Sequence, residues 1–469
     1  MKSPALPCLA VALALASAAA SQERALVLRG ATVIDGTERP PMGNTTVVIE
    51  RGWITAIGGA DLRYPKGARV VDLSGRFLLP GFIEMHGHLA IAAWQVDTGG
   101  GQVRIRFPYD EAATRELTRS QLAFGITTVR NPAGPTNEAV SIRDRVRRGE
   151  LPGPRIITAG APLDRPSANE AMDAVTTEEE IRAAVRRQTA VGVDFIKLYH
   201  TLDSAQVRVA VDEAHRLGLT AVGHLWFTSW TDAALEGIDG ITHIIVNNAK
   251  LLPESKRAEY QQSFRGAQFM FDWFKHADFD GPEIQGMIKT LVDRRVTIDP
   301  TLVAFEWTAW ANDSTFYSAE SARFVPPSLA ASTKANAALI PRWSTEDYQS
   351  AQAQLPRMFD LTRRLHRAGV LLTVGTDAAN PWMFHRELEL LVKAGIPPAE
   401  VLRMATRNGA IALKRSSEFG TVAVGRVADL VVLDGDPLAD ITNTRRIAWV
   451  IHEGRLTRPT DHLPERLRP

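Results

Sequence analysis

The chain has 469 residues, of which 54 are Lys or Arg and 53 are Asp or Glu. This length exceeds one small domain, and the near-neutral charge argues against nucleic acid or an anionic membrane as a partner, because both attract basic proteins. A hydrophobic fraction of 45% with 23% charged residues excludes a disordered chain. The single cysteine, Cys8, excludes a disulfide scaffold and any metal site built from two thiolates.

The first 20 residues are typical of a secretory signal peptide. Lys2 supplies a positive charge, residues 6–16 are apolar, and residues 18–20 are alanines suited to cleavage. The apolar run is shorter than the roughly 20 residues that a membrane-spanning helix needs. We therefore expect residues 1–20 to be removed from a secreted or periplasmic protein that keeps no membrane contact. A buried N-terminal helix is the alternative.

Both ends of the remaining chain are rich in short β-branched segments. Residues 25–57 contain four such runs, separated by Asp-Gly and Arg-Gly pairs that favour turns. Residues 419–456 return to the same strand character. Because chain termini often lie close together, we expect residues 21–80 and 416–469 to pair into one β-sandwich.

The middle of the chain, residues 81–415, alternates short apolar runs with windows of helical periodicity. The predicted strands cover residues 81–85, 125–129, 155–159, 195–198, 220–223, 240–244, 296–299 and 371–375. Amphipathic windows between them include residues 109–124, 177–191, 204–217 and 348–368. Eight β-then-α units predict an α/β fold with a parallel sheet, most simply a closed (β/α)8 barrel.

Ionisable side chains follow the apolar runs of five predicted strands. His86 and His88 follow the first strand, and alternate residues of an extended chain share a face, so both imidazoles can reach one ion. The other strands end on Lys197, His224, His243 and Asp377. A single histidine at such a position is more often a core residue than a ligand. Their recurrence at the carboxyl ends of barrel strands, where barrel enzymes hold their active sites, predicts a metal centre.

Lys197 lies inside an apolar strand, and a buried ammonium group is costly unless it is paired or modified. One interpretation is a structural ion pair. The other is a carbamate formed with CO2, which would turn the amine into an anionic oxygen ligand.

In this order the motifs resemble those of the amidohydrolase superfamily. The matching segments are residues 79–88 (LPGFIEMHGH), 195–197 (FIK), His224, 242–243 (TH), 375–377 (GTD) and 420–431 (GTVAVGRVADLV). The resemblance implies a (β/α)8 TIM barrel with a flanking β-sandwich built from both chain ends. Within the superfamily the chain is most similar to binuclear members with a carboxylated lysine, namely prolidase-like and carboxypeptidase-like dipeptidases and ochratoxin amidases.

The resemblance also implies a role for each matching residue. It assigns His86, His88 and Asp377 to one ion, His224 and His243 to a second, and carbamylated Lys197 to the bridge between them. A bridging hydroxide would attack the substrate, with Asp377 acting as general base and then as general acid. Nitrogen and oxygen ligands suit two divalent ions, most simply Zn²⁺, with manganese or cobalt as alternatives.

Three functions remain open at this point. The first is hydrolysis of an amide or peptide bond in dipeptides or N-acyl amino acids, including ochratoxin-like aryl amides. The second is hydrolysis of a lactone, ester or cyclic amide at the same site, and the third is a non-catalytic binding protein. Mononuclear deaminases of the superfamily carry a glutamate three residues after the histidine of the fifth strand, where this chain has Phe227. A deaminase is therefore not expected.

Three further residues are candidates for contact with a small-molecule substrate. Arg130 ends the second predicted strand and either binds a substrate carboxylate or forms a salt bridge within the protein. Tyr199 and His200 closely follow Lys197, so they either face the pocket or pack beneath it.

Two long segments, residues 246–281 and 304–347, interrupt the barrel pattern. They contain Phe264, Phe269, Phe271, Trp273, Phe274, Phe305, Trp307, Trp310, Phe316 and Tyr317. Because loops at this end of a barrel build the substrate site, we expect these aromatic rings to cover an apolar substrate. The alternatives are helices that bury their own aromatic rings and a contact between copies in a homo-oligomer.

Overall fold

The computed structural model describes residues 24–91, 93, 95–97, 104–167, 169–262, 268–313, 315–316, 319–336 and 343–468. The predicted signal peptide, residues 1–20, lies outside the described residues, and so do Phe264 and Tyr317 of the two aromatic segments. Within the described ranges, no helix combines the length and the apolar composition needed to cross a lipid bilayer.

The strands fall into two main sets, one from the ends of the chain and one from its middle. In chain order they are β1 (Leu26–Val33), β2 (Met42–Glu50), β3 (Trp53–Gly58), β4 (Arg69–Asp72), β5 (Phe77–Pro80), β6 (Phe82–Glu84), β7 (Gln95–Asp97), β8 (Arg104–Arg106), β9 (Ile126–Asn131), β10 (Arg155–Thr158), β11 (Leu163–Asp164), β12 (Asp173–Ala174), β13 (Phe195–Leu198), β14 (Thr220–Gly223), β15 (Gly240–Thr242), β16 (Thr297–Asp299), β17 (Leu371–Leu372), β18 (Leu430–Leu433), β19 (Ile447–His452) and β20 (Arg455–Thr457).

Helices connect the strands of the middle set. In chain order they are α1 (Glu111–Ala123), α2 (Thr136–Arg147), α3 (Glu178–Val191), α4 (Ser204–Arg216), α5 (Trp230–Leu235), α6 (Glu254–Gln262), α7 (Phe269–His276), α8 (Pro282–Asp293), α9 (Leu302–Ala309), α10 (Ala319–Ala322), α11 (Pro327–Asn336), α12 (Thr345–Arg367), α13 (Trp382–Lys393), α14 (Pro398–Arg403) and α15 (Gly409–Ala412).

The two ends of the chain share one sheet. Its strand order is β20-β19-β18-β5-β1-β2-β3, and β4 pairs with β1 outside this path. The ends join where β18 runs antiparallel to β5. Because side chains alternate along a strand, Leu430 and Val432 of β18 pack into the core of the sheet domain, whereas Val431 and Leu433 pack into the barrel core. The β-rich domain therefore rests on the barrel through this sheet.

The eight predicted barrel strands are all present, as β6, β9, β10 and β13–β17. They form two parallel ladders, β10-β9-β6 and β13-β14-β15-β16-β17, the second continued by β11 and β12. Among the described residues no continuous ladder closes the barrel. One backbone hydrogen bond spans the gap between β10 and β13, from Asp194 to Thr158 (2.8 Å). Three span the gap between β17 and β6, from Met85 to Val374 (2.8 Å), from Asp377 to His86 (2.9 Å) and from His88 to Ala378 (3.3 Å). The expected α/β barrel class is confirmed, although the strand ladder is interrupted at these two gaps.

Local chemistry fixes the helix ends, as α3 illustrates. The hydroxyl of Thr177 accepts from the backbone N–H of Glu180, and the Glu180 carboxylate accepts from the N–H of Thr177, which completes a capping box. The helix ends at Gly192, whose φ of 101° lies in the left-handed region that favours glycine. Ile181 and Val185 are buried on the face toward the barrel core. The window predicted over residues 177–191 is thus confirmed.

The segments that interrupt the barrel fold as helices that bury aromatic rings. In α7, Phe271, Trp273 and Phe274 are at most 1% exposed. The ring centroids of Trp273 and Phe274 are 5.2 Å apart, and Phe271 lies 6.2 Å from Phe305 of α9. For these rings, the alternative that the segments bury their own aromatic side chains is the one that the structure supports.

Candidate active site

The carboxyl ends of β6, β15 and β17 bring four potential metal ligands together. Oδ1 of Asp377 lies 3.2 Å from Nε2 of His86 and 2.9 Å from Nε2 of His88. The ligand atoms of His86, His243 and Asp377 all lie within 4.8 Å of one another. Such separations allow a central cation to bind each atom at about 2 Å, and this donor set suits a divalent ion. The family resemblance assigns His86 and Asp377 to the first metal position and His243 to the second, so this cluster combines donors from both predicted positions.

Neighbouring groups orient two of these imidazoles. Nδ1 of His86 lies 2.8 Å from Oδ2 of Asp299, and Nδ1 of His243 lies 2.8 Å from the hydroxyl of Thr301. A proton on each Nδ1 leaves the Nε2 lone pair available for an ion, and such partners hold a ligand in its binding orientation. Neither partner was predicted from the sequence, although Asp299 ends a predicted strand as the ligands do.

The backbone around the ligands is tightly fitted. His243 and Asp377 have φ values of 70° and 56°, in the left-handed region that is costly for residues other than glycine. A Cβ at Gly375 would lie 2.8 Å from Cβ of His86, so only glycine lets β17 approach β6 this closely. The carboxylate of Glu84 accepts from the N–H groups of His86 (2.7 Å) and Thr376 (3.0 Å) and ties the two strand ends together.

Burial and charged neighbours together set the protonation of the ligands. Burial lowers the pKa of His86, but Asp377 and Asp299 outweigh this effect and raise the pKa above its usual value. Burial has the larger effect on the other two imidazoles. It lowers the pKa of His88 and brings the pKa of His243 to about 3, so both imidazoles are neutral at pH 7, as metal binding requires. Burial also raises the pKa of Asp377, but His243 and His86 beside it outweigh this effect and hold the pKa well below its usual value. Asp377 is therefore a carboxylate at neutral pH.

Lys197 lies next to the cluster on β13. Its Nζ donates a 2.8 Å hydrogen bond to the hydroxyl of Thr242, and the residue is 2% exposed. Burial lowers the pKa of Lys197 to about 7, although Asp299 nearby acts in the opposite direction. A substantial fraction of the amine is therefore neutral and nucleophilic at physiological pH.

His224, the predicted ligand from β14, is held among aromatic side chains. Its Nδ1 lies 3.3 Å from Nε2 of His200, and its Nε2 accepts a 3.0 Å hydrogen bond from the indole N–H of Trp226. The His200 ring stacks between Tyr199 and Trp226, with centroid distances of 3.6 Å and 3.4 Å. Both nitrogens of His224 therefore contact side chains that are not predicted ligands, whereas Nε2 of His86 contacts Asp377, itself a predicted ligand.

A cavity of about 320 Å³ opens over the cluster. The six predicted ligands line its base, and its walls include Ile91, Phe107, Pro132, Met172, Tyr199 and Leu329. Tyr199 thus borders the cavity, as one of its two interpretations expected, whereas His200 is not among the residues that line it. Leu329 is the one contribution to the described lining from the two aromatic segments, so their described aromatic rings do not form the cavity wall.

The structure places Arg130 beneath the cavity rather than at its mouth. Its Nε donates a hydrogen bond to the carbonyl oxygen of Met85, and its Nη2 donates one to Oδ1 of Asp299. Both hydrogen bonds are 2.6 Å long. Arg130 is 3% exposed, so a substrate carboxylate does not reach it. The predicted substrate contact is wrong. Arg130 instead forms the salt bridge that was the alternative, and its partner is Asp299 of the barrel.

Comparison with known proteins agrees with this geometry. The profile of the Amidohydrolase family matches residues 77–457, which include every predicted metal ligand. The chain belongs to the Amidohydrolase family. Metal dependence is general in this family, which accords with the His86, His243 and Asp377 cluster. The resemblance inferred from the motifs is confirmed.

Solved structures of similar fold support the same assignment. A Xaa-Pro dipeptidase with methionine bound in its active site superposes with a TM-score of 0.67 at 19% identity, over 92% of this chain and 100% of that one. The A. niger ochratoxinase superposes with a TM-score of 0.68 at 18% identity, over 93% of this chain and 96% of that one. At these identities the likeness establishes the fold of this amidohydrolase and not its substrate.

Similarity to curated sequences is confined to short segments. An adenine deaminase from Serratia proteamaculans is 41% identical over 86 residues, which are 17% of this chain and 14% of that protein. The amidohydrolase thus matches only a small part of this relative, whose activity does not transfer on that basis.

Proposed function

We propose that this amidohydrolase cleaves the amide bond of a dipeptide or an N-acyl amino acid. The observation that carries the proposal is the convergence of His86, His243 and Asp377 at the base of a mainly apolar cavity. The names of the similar structures, a Xaa-Pro dipeptidase and an ochratoxinase, support amide bonds as the substrate class. Two divalent ions, most simply Zn²⁺, would be held by His86, His88, Asp377, His224, His243 and carbamylated Lys197.

The divalent ions, when bound, supply an acidified water nucleophile and polarise the scissile carbonyl. The protein supplies the proton transfers. Oδ1 of Asp377 contacts the two histidines that follow β6, and its Oδ2 lies 4.0 Å from Nδ1 of His243. This carboxylate is ionised at neutral pH and borders the cavity. It would take the proton of the attacking water and return it to the leaving nitrogen.

The carbamate on Lys197 would form by addition of CO2 to the lysine amine. The neutral amine attacks the carbon of CO2, a new N–C bond forms, and one C=O π bond opens and leaves its electron pair on oxygen. The nitrogen then releases one proton to solvent. Burial favours this reaction because it lowers the pKa of Lys197 to about 7. The product carries two oxygen atoms beside the histidine cluster, which is the donor type that a second ion needs.

Replacing Lys197 with alanine should lower turnover by more than about 100-fold, because the second ion loses its anionic ligand. Short-chain carboxylic acids should restore part of the activity by occupying the space of the carbamate. With ¹³C-labelled bicarbonate, the native protein should show a carbamate carbon signal by NMR that Lys197→Arg lacks. A native protein with full activity and no such signal would contradict the carbamate.

The substrate class is tested with matched compounds. Zinc-loaded protein is assayed for amine release from dipeptides and N-acyl amino acids with varied C-terminal residues, and from the neutral amides of the same acids. Turnover of the first set supports the proposal. With Arg130 engaged by Asp299, preference for the neutral amides would instead indicate substrates without a carboxylate beside the scissile bond. Turnover of lactones or cyclic amides alone would replace the proposal with the alternative hydrolase.

We also propose that the enzyme is exported to the periplasm or secreted. The support is the composition of residues 1–20, with Lys2, an apolar run and three alanines. N-terminal sequencing of the expressed protein should give a mature chain that starts near Ser21. A chain that retains residues 1–20 in the cytoplasm would contradict export.

A further inference from the structure

His224 is held in a way that distinguishes it from the other predicted ligands. An indole N–H can only donate a hydrogen bond, so Nε2 of His224 must accept the bond from Trp226. A neutral imidazole that accepts at Nε2 carries its proton on Nδ1. That proton points at Nε2 of His200, 3.3 Å away, which in turn accepts it. Donation therefore runs from Trp226 through His224 to His200.

This arrangement leaves His224 without a lone pair for an ion. If Nε2 is to bind the ion, the hydrogen bond from Trp226 must break. If Nδ1 is to bind it, the Nδ1 proton must leave, although the bond from Trp226 keeps that proton on Nδ1. Either route requires loss of the same contact. By contrast, Nε2 of His86 and Nε2 of His88 contact Oδ1 of Asp377, which belongs to the same predicted metal position, so no contact to a residue outside the ligand set has to break there.

We propose that the two metal positions are unequal and that Trp226, with His200 as the acceptor, is the positioning residue that makes them so. In the position built on His86, His88 and Asp377 the ligand atoms already face one another, whereas the position at His224 must first lose the indole hydrogen bond. The inference rests on the metal centre of the proposed function and not on the substrate. It predicts one tightly bound ion and a second, weaker one.

Trp226→Phe tests this inference because phenylalanine keeps an aromatic ring against His200 and lacks the indole donor. Metal-free protein is dialysed against a series of buffered free Zn²⁺ concentrations, and bound zinc per chain is counted by mass spectrometry. The native protein should take up one ion at low free zinc and a second at higher concentration. In Trp226→Phe the second ion should bind at about fivefold lower free zinc, the equivalent of one hydrogen bond. Binding of the first ion should not change, which also shows that the variant is folded.

Trp307→Phe is the matched control, since it also replaces a tryptophan but in α9, where the side chain is 49% exposed and outside the cavity lining. Its two zinc affinities should equal those of the native protein. Equal affinities of the two ions in the native protein, or an unchanged second affinity in Trp226→Phe, would overturn the inference. Failure of all variants to bind any zinc would reject the metal centre itself and with it the proposed function.

His200→Phe separates a positioning role for His200 from a role as a metal ligand. If His200 only accepts the proton of His224, the variant should keep the second ion at the native affinity or bind it more tightly. Loss of the second ion in His200→Phe, with the first retained, would make His200 a ligand and overturn the inference.

Discussion

Replacing Asp377 with alanine should lower kcat by more than about 1,000-fold, because the variant loses both a proton acceptor and a ligand of the first metal position. A proton-transfer group alone contributes about 10²–10⁴-fold. Bound zinc should fall with it, since Oδ1 of Asp377 lies within 3.2 Å of both His86 and His88 and completes their donor set. The measurement is kcat on the best amide substrate with zinc supplied, together with zinc content per chain. His86→Ala should behave in the same way.

His366→Ala provides the matched control for loss of an imidazole. His366 lies on α12, and its nearest acidic partner, Glu400, is 3.8 Å away. The variant should keep native kcat and native zinc content. Full activity of Asp377→Ala with zinc present would contradict the proposed mechanism, whatever substrate is used.

The barrel strands and the ligands at their ends were predictable because both depend on local sequence. A parallel strand buried on both faces reads as a short apolar run, and a ligand that serves a site at the barrel mouth must come directly after that run. His86 and His88 after β6, His243 after β15 and Asp377 after β17 obey this rule. The structure brings these four together, and Lys197 lies beside them.

The partners of those ligands could not be predicted, because they come from distant parts of the chain. Asp299 lies 213 positions after His86, and Thr301 lies 58 positions after His243. Each pairing depends on which barrel strands are neighbours and on the stagger between them. Trp226 lies only two positions after His224, but its indole reaches the imidazole through the bend that follows β14, and the sequence pattern does not specify that bend.

The substrate contact predicted for Arg130 failed for a related reason. Its position at the end of β9 fits a substrate contact and a buried ion pair equally well, and its partner, Asp299, lies 169 positions away. Burial decides between the two. An arginine that is 3% exposed and donates to two groups of the protein supports the site from below and does not select substrates.

Replacing Arg130 with alanine should therefore lower the free energy of unfolding by about 3–5 kcal/mol, because it leaves the charge of Asp299 buried and unpaired. Burial raises the pKa of Asp299, but Arg130 and His86 outweigh this and keep the pKa below its usual value. Without the arginine, Asp299 should take up a proton more readily and hold Nδ1 of His86 less firmly. Urea unfolding of metal-free protein measures the loss of stability, and zinc titration measures the weaker first position.

Two further variants separate this role from substrate binding. Arg76→Ala breaks an exposed ion pair with Asp434 and should cost no more than about 1 kcal/mol. Arg130→Met with Asp299→Asn removes both charges and should recover part of the stability lost in Arg130→Ala, because no unpaired charge stays buried. An Arg130→Ala protein with native stability and native zinc affinity, but a raised KM for substrates that carry a carboxylate, would contradict the buried ion pair. Such a result would support a substrate-binding role for Arg130.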